Sequence, residues 1–204
     1  MLKILLVCLS ALAFGALLAS DSLHLPVRAG YIGAALLIAA SIWVKNYWNR
    51  RAVIAGDEPS AAERNAWLWM TGTALIEGYV MAVLLQPGSE VHTVNGGTGG
   101  YNSWVMIAGA FISYRILRDP NTQRDERDIA ISNFGMKAGY LSLVLLLTVL
   151  FMMLGFAPHD MMQRFTHWLL ANTLVTLIML SCLVHYVVQL VCYWRDFRNL
   201  RADP

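Results

Sequence analysis

The segment Ala66-Trp67-Leu68-Trp69-Met70-Thr71-Gly72-Thr73-Ala74-Leu75-Ile76-Glu77-Gly78-Tyr79-Val80-Met81-Ala82-Val83-Leu84-Leu85 runs twenty residues with one acidic or basic side chain, Glu77. As an α-helix it would be about 30 Å long, the thickness of a bilayer's hydrocarbon core. It shows no strand alternation, and an oily segment in lipid must satisfy its own backbone, which a helix does and an isolated strand cannot. Five further stretches of the chain have the same character. The expected spans are 2–19, 29–47, 66–85, 101–117, 134–156 and 166–194, each separated from the next by a short polar segment. The fold predicted is all-α: one polytopic domain covering residues 1–204, a bundle of six transmembrane helices whose solvent and first partner is the lipid bilayer.

Composition agrees with this reading. Of the 204 residues 57% are hydrophobic and 14% charged, against about 25% charged in an ordinary soluble domain. The formal net charge of +2 gives nucleic-acid binding no support. Orientation follows from where the positive charges fall. Thirteen of the fifteen Lys and Arg residues flank one set of helix ends, and only Arg28 and Arg164 flank the other. The expectation is that both termini face the cytoplasm. Residues 1–19 open like a secretory signal, with Lys3 before an apolar run, but Leu17 and Leu18 occupy positions where a cleavage site needs small residues. The segment is therefore read as a retained first helix.

Local signals refine the helix ends. Ser60 followed by Glu63 forms a capping box, and Asp119 before Pro120 resembles an N-cap with proline in the first helical position, so helical lead-ins are expected before the third and fifth spans. Ala11, Gly15 and Ala19, and likewise Gly135 and Gly139, recur at four-residue spacing, which lets helix backbones approach closely. The final span, Trp168 to Trp194, would be about 40 Å long and should tilt or project beyond the membrane. Tyr47-Trp48-Asn49-Arg50, Tyr114-Arg115 and Tyr193-Trp194-Arg195-Asp196 look alike. Three copies of a two-helix hairpin would leave that likeness, but so would the aromatic and basic residues common at any membrane interface.

Two groups of side chains could carry function. Glu77 lies near the middle of its span, where an ionised carboxylate costs at least a few kcal/mol unless paired or hydrated. Thr73, one turn earlier, shares its face, and Tyr79 could add a hydroxyl. In the last span Ser181, His185 and Gln189 form a polar stripe, and His185 with Glu77 is a natural pair. The alternatives for this intramembrane polar site are a proton or cation site and a hydrogen-bonded contact that holds helices together. No metal and no cofactor is expected. Haem would need a second axial ligand, and no other span contains a histidine. Cys8, Cys182 and Cys192 lack metal or redox spacing and read as packing residues. The glycine-rich segment 86–102 lacks the lysine of a phosphate loop. No Ser, His and acid set or carboxylate pair marks a catalytic residue, so an enzyme acting on lipids or quinones has little residue-level support.

The connection before the fifth span reads Arg124-Asp125-Glu126-Arg127-Asp128-Ile129-Ala130-Ile131 and continues through Lys137-Ala138-Gly139-Tyr140. It resembles a family of small predicted bacterial and archaeal membrane proteins of unknown function, marked by Asp-Glu-Arg, three residues and Ile, then a Lys-Ala pair opening a transmembrane helix. The likeness covers about 20 residues; the first two helices lack a counterpart in the shorter members. It implies a multi-pass protein of the bacterial cytoplasmic membrane with no activity to carry over. Physically, Arg124, Asp125, Glu126, Arg127 and Asp128 place mixed charge at headgroup level, either as a solvated lead-in or as a docking motif for a cytoplasmic or membrane partner.

Two functions remain in play, the first as the leading expectation and the second as its alternative. The first is a non-enzymatic accessory, regulatory or immunity-type protein acting through contacts, homo-oligomers included. The second is a small transporter or channel subunit using Glu77.

Overall fold

The computed structural model describes residues 1–19, 27–55, 60–86, 98–117, 125–158 and 166–202, with the side chains of 51–55, 98–100 and 197–202 left aside. Among the described residues there are six helices and no strand: α1 Leu2–Ala19, α2 Ala29–Ala55, α3 Ala61–Leu85, α4 Thr98–Leu117, α5 Glu126–Phe156 and α6 His167–Ala202. Five are long and apolar enough to cross a membrane. The exception is α4, whose apolar run is diluted by Gly99, Gly100, Asn102 and Ser103. The bundle is thus the helical membrane architecture that the apolar runs predict.

The lead-ins are helical as well. Ser60 caps α3, its Oγ accepting from the Glu63 backbone N–H at 3.1 Å, and α5 begins at Glu126, well before its apolar run. The last helix is longer than its apolar run, 36 residues instead of the 27 between Trp168 and Trp194. The capping proposed for Asp119 lies outside the described residues.

The order of packing differs from the order of the chain. Helix α3 is the hub and packs against α1, α4 and α6; α2 packs chiefly on α4, and α5 on α6. Successive helices alternate in direction, so α1 and α3 run parallel. Their tightest point is Gly15 against Gly78: a side chain at Gly15 would run into the Leu75 carbonyl, and one at Gly78 into the Leu12 carbonyl. The parallel pair α2 and α4 is pinned at both ends, by the Tyr31 and Tyr101 hydroxyls 2.9 Å apart and by Lys45 Nζ donating to the Ile116 carbonyl at 2.9 Å. Consecutive helices are not equivalent hairpins, because α1 barely touches α2 while α5 lies along α6.

The alternation gathers Lys3, Lys45, Arg64, Arg115, Arg127 and Arg195 at one end of the bundle, with the start of α1 and the end of α6, and leaves Arg28 at the other. Between the ends, two cores meet on α3. One joins Leu75, Ile76, Tyr79 and Val80 to Leu18, Leu37, Met106 and Ala110. The other joins Ala66, Met70 and Ala74 to Ile4, Ala11, Leu183 and Leu190. Large apolar side chains on the outside, such as Phe14, Trp43, Trp104, Phe111, Tyr140, Leu145 and Phe151, are what a lipid-facing surface requires.

Candidate functional site

Glu77 sits on the side of α3 that also carries Met70, Thr73 and Val80, all of them buried, and is 1% exposed. Among the described residues, neither of its carboxyl oxygens has a hydrogen-bond partner. The reason lies in its neighbours. Thr73, on the same face, spends its hydroxyl hydrogen on its own helix, with Oγ1 2.6 Å from the Trp69 carbonyl and 3.1 Å from that of Met70. Tyr79 leaves α3 on another side, where its hydroxyl accepts from Asn102 Nδ2 at 3.0 Å. Next along the chain, Gly78 is pressed against α1 at the Leu12 carbonyl.

The register between α3 and α6 explains why His185 does not reach Glu77. The helices are antiparallel: Trp69 stacks on Tyr186, and Ala66 and Ala74 share a core with Leu190 and Leu183. Glu77 therefore lies level with residues near Met179 and Leu180, and His185 is about six residues, or roughly 9 Å, farther along α6. His185 also points away. It is two residues from Leu183, so it projects from nearly the opposite side of the helix.

The stripe Ser181, His185 and Gln189 does form, but it faces α5. A side chain at Gly139 would meet His185 Cβ at 2.9 Å and the Ser181 carbonyl at 3.1 Å, and one at Gly135 would meet the His185 carbonyl at 2.9 Å and Gln189 Cβ at 3.3 Å. The His185 ring stands edge-on to Tyr186, with centroids 4.5 Å apart. Glycines thus let α5 lie directly on this stripe. The five side chains grouped in the sequence separate into two places: Glu77 with Thr73 on the core side of α3, and Ser181, His185 and Gln189 at the α5–α6 contact.

The charged lead-in of α5 departs from an open surface at one position. Asp125 and Glu126 are exposed, and Arg127 Nε pairs with Asp196 Oδ2 at 3.2 Å while both side chains remain over 40% exposed, a pair of small energetic weight. Asp128, by contrast, is buried, and its Oδ1 accepts from the Ser60 hydroxyl at 3.1 Å and the Tyr193 hydroxyl at 2.8 Å. It fastens the starts of α3 and α5 to the C-terminal part of α6, so its carboxylate is not on the open surface that Asp125 and Glu126 share. Arg124 lies outside the described residues, as does any pairing between it and Asp128.

Other features came into view only with the fold. Trp69 meets Phe111 and Tyr114 of α4 and Tyr186 of α6, with ring centroids 5.4–6.1 Å apart. Asn102 Oδ1 and Ser113 Oγ of α4 are further buried atoms without partners among the described residues. Tyr193 reads in the sequence as one more belt aromatic; the signal that it does something else is its position one turn after Gln189, which continues the polar stripe. Among the described residues no three His, Cys, Asp or Glu side chains gather as metal ligands.

Compared with protein-family models, curated proteins and solved structures, the chain matches none.

Proposed function

We propose that this chain is a multi-pass protein of the bacterial cytoplasmic membrane, with both termini inside, and that it works as a small transporter or channel subunit in which Glu77 binds the proton or cation. The orientation is supported by the thirteen-to-two division of Lys and Arg. One observation carries the activity: a carboxyl group deep in the hub helix, 1% exposed, with both oxygens unpartnered. Leaving a buried polar group unsatisfied costs about 1–3 kcal/mol even when it is neutral. A glutamate used only to hold helices together would have its partner in the bundle. A glutamate that takes up and releases a ligand must leave its oxygens free for it.

The test is flux. Purified protein is reconstituted in vesicles, and proton and monovalent-cation movement is followed by entrapped dyes under an imposed gradient. Wild-type protein should conduct or exchange, and Glu77→Gln should not. Equal flux from both proteins would refute this use of Glu77.

A second reading, the accessory or regulatory protein acting through contacts, is favoured by α5. Its extensive packing is confined to α6, and Phe134, Tyr140, Leu145, Phe151 and Phe156 stand exposed along it. Those side chains suit lipid and suit another membrane helix equally well. Co-purification of a stoichiometric membrane partner, lost when α5 surface residues are changed, would support this reading.

A further inference from the structure

We infer that the ligand of Glu77 is a proton and not a metal ion, an inference that rests on the reading of Glu77 as the working group. Glu77 has too few ligands around it for a metal ion. Calcium takes six to eight oxygen ligands, and magnesium demands an octahedral set. Glu77 offers two oxygens. The hydroxyl closest to it along α3, Thr73, is turned to the Trp69 and Met70 carbonyls, and Thr176 of α6 is turned to its own Asn172 carbonyl at 2.9 Å. The main-chain carbonyls at this depth belong to unbroken helices and are committed to their own ladders.

Space is short as well. An ion that kept part of its water shell would need the helices around Glu77 to stand apart, yet the adjacent Gly78 has its α-carbon packed on the backbone of Leu12. Replacing the missing hydrogen with a methyl group there would already collide. A proton needs neither a ligand shell nor a cavity. It adds to one carboxyl oxygen and changes that oxygen from acceptor to donor, and the Thr73 oxygen, whose own hydrogen is spent, can only accept.

The charge pattern of the helices packed on α3 points the same way. On α1 the charged residue is Lys3, at the far end, and the titratable group in the shared core is Cys8. On α4 it is Arg115, also near an end, with Tyr114 against Trp69. On α6 the ionisable groups in the spanning part are His167, Cys182, His185, Tyr186, Cys192 and Tyr193; His167 is at the far end, His185 faces α5, and Tyr193 is bonded to Asp128. No described basic side chain is positioned to form a permanent ion pair with Glu77, so its oxygens are open to a proton.

Infrared difference spectroscopy on the reconstituted full-length protein tests this. Lowering the pH in choline chloride should produce a carboxylic C=O band and remove the matching carboxylate bands, and this change should be missing in Glu77→Gln and shifted in Glu77→Asp. At fixed pH and ionic strength, exchanging choline for sodium, potassium, magnesium or calcium should leave the Glu77 bands unmoved. A carboxylate band that shifts with one of those metal ions overturns the proton assignment but leaves the flux role of Glu77 standing. A spectrum without any Glu77-dependent change over the range in which the protein stays folded overturns the assignment as well. Glu77→Asp serves as the difference partner if Glu77→Gln does not fold. Failure of the broader reading shows separately, as flux that survives Glu77→Gln.

Discussion

The Tyr193 hydroxyl near the end of α6 donates to Asp128 Oδ1 in the first turn of α5 at 2.8 Å, and both residues are buried. Ser60, the N-cap of α3, donates to the same oxygen at 3.1 Å. The starts of α3 and α5 and the final turns of α6 are thereby tied together at one end of the bundle by two hydroxyls and one carboxylate. Such a charge-assisted contact is worth more than a neutral one, and it leaves a buried orphan when one partner is removed.

Tyr193→Phe should therefore lower stability by about 1–3 kcal/mol, because the ring still packs but Asp128 loses a donor. Thermal unfolding in detergent, followed by circular dichroism, measures it. Ser60→Ala should cost about 1 kcal/mol for the cap alone and more with the Asp128 bond gone. An unchanged transition for both would mean that the cluster is not formed.

The ion pair one residue earlier should behave differently. Arg127→Ala breaks the bond to Asp196, but exposed pairs are worth about 0–1 kcal/mol. Its effect should be smaller than that of Tyr193→Phe and should shrink as salt is raised.

The crossing of α1 and α3 makes a sharper demand. Gly78→Ala and Gly15→Ala place a methyl group against the backbone carbonyls of Leu12 and Leu75, and a rigid backbone cannot yield as a side chain does. Each should destabilise by about 1–3 kcal/mol. Gly155→Ala is the control: nothing lies within 4 Å of the added carbon, so the better helix former should stabilise by about 0.5–1 kcal/mol.

Glu77→Leu should raise stability while flux is lost. An unpaired buried carboxyl is a cost to the fold, and an apolar side chain of similar size removes it, for a gain of about 1–3 kcal/mol. A function-bearing residue commonly shows this opposition of stability and activity. If the Leu variant melts earlier than wild type, Glu77 is making a structural contact instead.

Fusions give the orientation. A fluorescent protein that folds only in the cytoplasm should light up when joined after Arg201 or within 118–124, and a periplasm-dependent phosphatase should be active within 87–97. The opposite pattern would reverse the assigned sidedness.

Much of the architecture was legible along the chain. Bilayer crossing demands about twenty apolar residues in a helix that satisfies its own backbone, so the apolar runs declare six helices, of which α4 alone is too diluted to meet the crossing length and apolarity, and the capping box at Ser60 marks where α3 starts. Glu77 was equally visible, because a carboxylate inside an oily run stands out without any knowledge of its surroundings. Which helix lies beside which was not legible, since lipid tails are as apolar as leucine and hydrophobicity sets no preference among helix faces. Tertiary packing made that choice through close fits: Gly15 on Gly78, and Gly135 and Gly139 beneath His185. The same fits turned His185 toward α5, left Glu77 without a partner, and drew Asp128 out of the charged surface that its neighbours Asp125, Glu126 and Arg127 still occupy. Apolar length along the chain marks out a helical membrane protein; contact geometry across the bundle decides which of its polar groups are spent on structure and which, Glu77 among them, are left without a partner among the described residues.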